Sequence, residues 1–97
     1  MTEKQIKKLR CFIEYYGAGN QLVKAIEEFA ELQQVLAKIC TIPDSFKENT
    51  IKSSVYSEIA DVEIMLEQLK IIFDCKKDVE KWVDYKIQRQ IERMAKS

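Results

Sequence analysis

Apolar residues recur at helical spacing along almost the whole chain, and no stretch alternates in the manner of a half-buried strand. Ile6, Leu9, Ile13 and Tyr16 fall on one face of a helix expected over about 3–16. Leu22, Ala25, Ile26, Phe29, Leu32, Leu36 and Ile39 form the stripe of a second, over about 21–40. Val55, Ile59, Val62, Leu66, Leu69 and Phe73 do the same for a third, over about 50–73, and a more polar helix follows over about 77–96. Gly17 and Gly19 separate the first two helices, with Asn20 the expected N-cap of the second. Thr41 to Asn49, which holds Pro43, reads as a loop, and Asp74-Cys75 as a softer break with Asp74 a possible cap. The expected fold is all-α. Its second and third helices turn back on each other as an antiparallel hairpin within a single domain spanning 1–97.

Four acids interrupt this pattern in a regular way. Glu28 and Glu31 lie one turn apart on the second helix, and Glu58 and Asp61 one turn apart on the third. At about 100° per residue, Glu58 falls among Val55, Val62 and Met65, inside the apolar stripe, with Asp61 at its edge. Glu28 flanks the stripe of the second helix, and Glu31 lies further round. Counted from the expected loop, Glu31 and Glu58 stand roughly 15 and 12 Å along their helices, nearly the same height. Glu28 and Asp61, each one turn further on, match likewise.

Two carboxylates about 5 Å apart repel by on the order of 3 kcal/mol at an effective dielectric near 20. Such a cluster therefore calls for protonation or for a cation among the oxygens. The chain has no histidine, and hard oxygen donors suit Mg²⁺, or Mn²⁺, rather than zinc or copper. A helical di-iron site, which needs histidine ligands, is excluded. The bland alternative is a set of solvated helix-face acids paired with lysines. It suits Glu27 and Glu31 well and Glu58 poorly.

Composition narrows the setting. The chain has 97 residues, 46% of them hydrophobic and 33% charged, which fits a folded domain near the lower size limit for a self-sufficient core. Sixteen Lys and Arg balance sixteen Asp and Glu, so no overall field draws nucleic acid or anionic lipid, and neither is an expected partner. Cys11, Cys40 and Cys75 lack metal or redox spacing and read as reduced thiols of a cytoplasmic protein. No run reaches the length of a membrane span.

The segments Lys24-Ala25-Ile26-Glu27-Glu28-Phe29-Ala30-Glu31-Leu32 and Ser57-Glu58-Ile59-Ala60-Asp61-Val62 resemble the EExxE and ExxD signature of the MazG-like all-α nucleoside triphosphate pyrophosphohydrolases. The resemblance covers about residues 20–93 and is nearest to the short single-motif members of bacteria and phages. It implies a four-helix MazG-like unit completed by oligomerisation. It also implies Mg²⁺-dependent hydrolysis of nucleoside triphosphates to monophosphate and pyrophosphate. By motif, Glu28, Glu31, Glu58 and Asp61 would be metal ligands, and Glu28, Glu31 or Glu27 would orient or deprotonate the attacking water.

Other features have two readings each. On the fourth helix Lys86, Arg89 and Arg93 share a face with Trp82, either as a phosphate clamp or as a solvated basic face near the helix C-terminus. Lys24 can reach a phosphate or simply pair with Glu27 or Glu28. Tyr15, Tyr16, Tyr56 and Trp82 suit base stacking but equally packing, and Phe12, Phe46 and Phe73 read as packing. Val23, Val35, Ile64 and Ile71 lie off the main stripes, which predicts burial on both sides of the hairpin helices in a homodimer or homotetramer. The competing class is a non-enzymatic helical interaction module with an acidic face.

Overall fold

A computed structural model describes residues 1–97. The chain is all-helical, with α1 at Glu3–Tyr16, α2 at Ala18–Thr41, α3 at Asp44–Thr50, a π-helical turn at Ile51–Val55, α4 at Tyr56–Ile72 and α5 at Lys76–Lys96. No helix is long and apolar enough to cross a membrane.

Each boundary has a local cause. Thr2 opens α1 with a capping box, its Oγ1 accepting from the Gln5 N–H at 3.1 Å while Gln5 Oε1 accepts from the Thr2 N–H at 2.9 Å, so two orphan donors are satisfied at once. Gly17 ends α1 and begins α2 at φ 91°, ψ 144°, backbone that a side chain rarely tolerates. Asn20 is not the N-cap expected from the sequence. It lies inside the first turn of α2, and its Nδ2 donates to the Tyr16 carbonyl at 2.7 Å, closing the end of α1 instead.

The loop expected over 41–49 contracts to Ile42 and Pro43, and the chain is helical again from Asp44. Proline's fixed φ and missing donor are compatible with this entry, and Lys47 Nζ lies 2.8 Å from Asp44 Oδ1 across the first turn. α3 runs on into α4 through the wider π turn. There the hydroxyls of Ser53 and Ser54 both donate to the Thr50 carbonyl, at 3.4 and 2.7 Å, competing with the helical ladder for that acceptor.

At the other end of α4, the Asp74 N–H donates to the Ile71 carbonyl and the Cys75 N–H to the Lys70 carbonyl, with Asp74 at φ 49°. This is a Schellman stop with aspartate in the position glycine usually takes. Asp74 thus terminates α4 through its backbone and does not cap α5 with its side chain.

α2 and α4 form the principal contact, with α1 packed across both and α5 resting lightly on α4. The apolar core is small: Leu9, Ala25, Val55 and Met65 are buried, beside the polar Gln21, Glu28 and Gln68. Much of what the periodicity assigns to the core is open in the single chain. Ile26 is 67% exposed, and Leu36, Ile59, Leu66, Phe12, Phe46 and Phe73 are exposed as well. Much of the uncovered apolar surface therefore lies on the main stripes themselves, while of the off-stripe residues Val23 is exposed and Val35, Ile64 and Ile71 are half-buried.

Candidate metal centre

The register of α2 against α4 is fixed at two heights. Near one end Gln21 Nε2 donates to Gln68 Oε1 at 2.7 Å, both residues buried. Towards the other, one carboxylate oxygen from each of Glu28, Glu31 and Glu58 lies within 4.8 Å of the other two. Early α2 meets late α4 and later α2 meets early α4, so the two helices run antiparallel. Counting seven residues forward from Gln21 gives Glu28, and seven back from Gln68 gives Asp61. Both residues line one small depression of about 170 Å³.

The order of burial differs from the expectation. Glu28, which was to flank the stripe, is the buried carboxylate at 7% exposure, while Glu58 is half-buried and Glu31 exposed. Glu28 faces the α2–α4 interface, where Glu58 approaches from the other side. Asp61 is half-buried and stands outside the three-oxygen cluster. Glu27, one position round the helix, lies apart on a shallow exposed depression shared with Tyr16, Asn20 and Lys24.

Charge in this cluster is only partly balanced. Lys24 Nζ lies 3.0 Å from Glu28 Oε1, the pairing role of the two considered for it. Glu28 Oε2 and Glu58 Oε2 are sealed from solvent and accept no hydrogen bond. A buried carboxylate oxygen without a donor is costly, and two of them at one place fit the donor set of a hard cation. Glu31 holds its proton more tightly than an ordinary glutamate, chiefly because of the charge of Glu28. The closeness of the two carboxyl groups, partial loss of water and Glu58 add to the effect, while Lys24 opposes it. In turn Glu28 raises the proton affinity of Lys24, through their hydrogen bond first and its charge second.

The basic residues of α5 are placed elsewhere. The depression holding Glu28 and Asp61 is lined only by α1, α2 and α4, and α5 buries none of its own residues. Lys86 Nζ sits 5.8 Å from the Trp82 ring centre and the Arg89 guanidinium 5.6 Å from that of Tyr85, cation–π contacts along one helix face. Arg93 is exposed near its end. Tyr15, Tyr16, Tyr56 and Trp82 are all exposed.

Sequence reasoning singled out neither Gln68 nor the Gln21–Gln68 bond. Their signal was available: the two glutamines stand at the same two-turn offset from Glu28 and Asp61. Comparisons of the chain with protein-family models, with curated proteins and with solved structures return no match.

Proposed function

We propose that the chain is a Mg²⁺-dependent nucleoside triphosphate pyrophosphohydrolase that converts (d)NTP to (d)NMP and pyrophosphate. The reading includes a MazG-like helical unit that self-associates. The observation that carries it is the Glu28–Glu31–Glu58 cluster, with two sealed carboxylate oxygens lacking a donor. Glu28, Glu31 and Glu58 would hold Mg²⁺ (or Mn²⁺), with Asp61 beside them. Bound there, the ion supplies positive charge against the triphosphate oxygens and acidifies water in its shell.

The remaining roles belong to the chain. Glu31 and Glu27 are the carboxylates of α2 open to water, and either can orient an attacking water or take its proton. Lys24, which pairs with Glu28 across one turn, would reach a phosphate oxygen from there. Lys86, Arg89 and Arg93 come to the triphosphate from α5 of a second copy, since their own α5 does not line the depression. Arginine's planar fork suits that contact.

The test is incubation with each common ribo- and deoxyribonucleoside triphosphate plus Mg²⁺ or Mn²⁺, with product identification. Monophosphate and pyrophosphate should appear, vanish with EDTA and be absent for Glu58→Gln. Release of orthophosphate would indicate a different phosphohydrolase. No turnover of any triphosphate would leave the non-enzymatic helical interaction module with an acidic face.

A further inference from the structure

We infer that Gln21 and Gln68 together read the hydrogen-bonding edge of the nucleobase, an inference that rests on the nucleotide reading of the carboxylate site. The pair is an unusual way to join two helices. Gln68 is 2% exposed and Gln21 7%, and two apolar residues of the same shape would hold α2 to α4 about as well. The bond uses only Gln21 Nε2 and Gln68 Oε1. Gln21 Oε1 and Gln68 Nε2 have no partner in the protein, yet neither is among the sealed polar atoms. Both side chains line the depression that also holds Glu28 and Asp61. Each glutamine thus keeps one amide atom, an acceptor on Gln21 and a donor on Gln68, that the protein neither pairs nor seals.

Adjacent donor and acceptor groups are what the lactam or amidine edge of a nucleobase presents. Phe12, Ile64 and Met65 line the same depression and offer apolar contact to the faces of a ring. At about 170 Å³ it takes part of a ligand rather than a whole one. The rest must lie along the groove towards the acids. Seven helical residues, about 10 Å, separate the glutamines from Glu28 and Asp61. A ribose and the first phosphate fill that span, which places the base at the glutamines and the phosphates at the carboxylates.

The experiment measures binding, so that it does not depend on turnover. Non-hydrolysable triphosphates of each base are titrated with Mg²⁺ into the full chain and into the Gln21→Met/Gln68→Met variant. The wild type should prefer one base over the least favoured by at least about tenfold, since an unmet buried hydrogen bond is strongly rejected. The double variant, which replaces both partners at once, should keep its fold and reduce that ratio to near one. An unchanged ratio, equal affinity of the wild type for all bases, or no binding at all would overturn the inference. Should the variant not fold, the side-chain amide NMR signals of Gln21 and Gln68 in the wild type decide. They should shift with the preferred nucleotide and stay fixed with inorganic tripolyphosphate, and equal shifts with both would count against the pair. Base-selective binding without hydrolysis would sink the pyrophosphohydrolase reading and leave this one standing.

Discussion

Gly17 and Gly19 stand two positions apart and make opposite demands on a side chain. Gly17 lies at φ 91°, where a side chain is strained, whereas Gly19 is helical and a methyl group there would meet nothing within 4 Å. Gly17→Ala should cost more than about 1 kcal/mol, and Gly19→Ala should stabilise by roughly 0.4–1 kcal/mol through a less flexible unfolded chain. Urea midpoints check both, and equal signs would refute the assignment. Glu31 gives a pH prediction. Its carboxyl is raised from an ordinary value of 4.5 in the fold by Glu28. The folded state therefore binds more protons than the unfolded one just above that pH, and stability contributed by protonated Glu31 is lost as pH rises through the folded value. Metal-free protein should lose more stability than Glu31→Gln on moving upward from about pH 4.5, and parallel stability profiles would remove the coupling. Glu58→Gln should leave the metal-free fold as stable or more so, because it removes one charge from the cluster. A clear drop in its thermal midpoint would assign Glu58 a structural role instead.

The helices themselves were legible because their causes are local. Gly17, Pro43 and Asp74-Cys75 do separate them, and of the four paired acids Glu28, Glu31 and Glu58 meet while Asp61 stands outside. What was not legible depends on competition between neighbours. Asp44–Thr50 carries polar residues and follows a proline, which reads as a loop, yet nothing in it opposes helix once Pro43 has set the entry. The π turn arises where Ser53 and Ser54 contest a single carbonyl, an outcome that periodicity does not register. Burial order was misjudged because an apolar stripe says which face is covered, not how deeply each rim residue sits. Glu28, read as a flank, is covered by α4, while Glu58 near the start of α4 keeps more solvent. Asp74 shows the same limit: its side chain suggested an N-cap, but its backbone forms the Schellman stop of α4. Asp74→Gly should therefore stabilise by a few tenths to about 1 kcal/mol, and Asp74→Val should destabilise, because only glycine occupies φ 49° freely. Thermal midpoints of the two variants, measured at one protein concentration, would show it.

At the scale of the molecule, the single chain exposes too much. Its accessible surface is 7826 Å², about 2,000 Å² more than the roughly 5,800 Å² of a compact monomer of its mass. Its radius of gyration is 16.7 Å, against about 12–13 Å for a compact domain of this length. The excess is apolar in the places that matter: Ile26, Ile59 and Leu66 on the paired helices, and Trp82, Ile87, Ile91 and Met94 on an α5 that covers little of its own chain. An obligate dimer buries at least about 1,000 Å² per partner, so the surplus is enough for one interface and leaves room for a second. The sequence pointed to self-association from the off-stripe residues, but the exposed stripes carry the stronger argument, since they are core-type surface without a core to cover. The expected state in solution is a dimer or tetramer whose thermal midpoint rises with protein concentration, because association stabilises the folded form by mass action. Leu66→Asp, which places a charge on the exposed stripe of α4, should shift light scattering towards monomer and lower the midpoint. A wild-type chain that scatters as a stable monomer at micromolar concentration, with a concentration-independent midpoint, would remove the assembly. With it would go the delivery of Lys86, Arg89 and Arg93 to the carboxylates of a neighbouring copy.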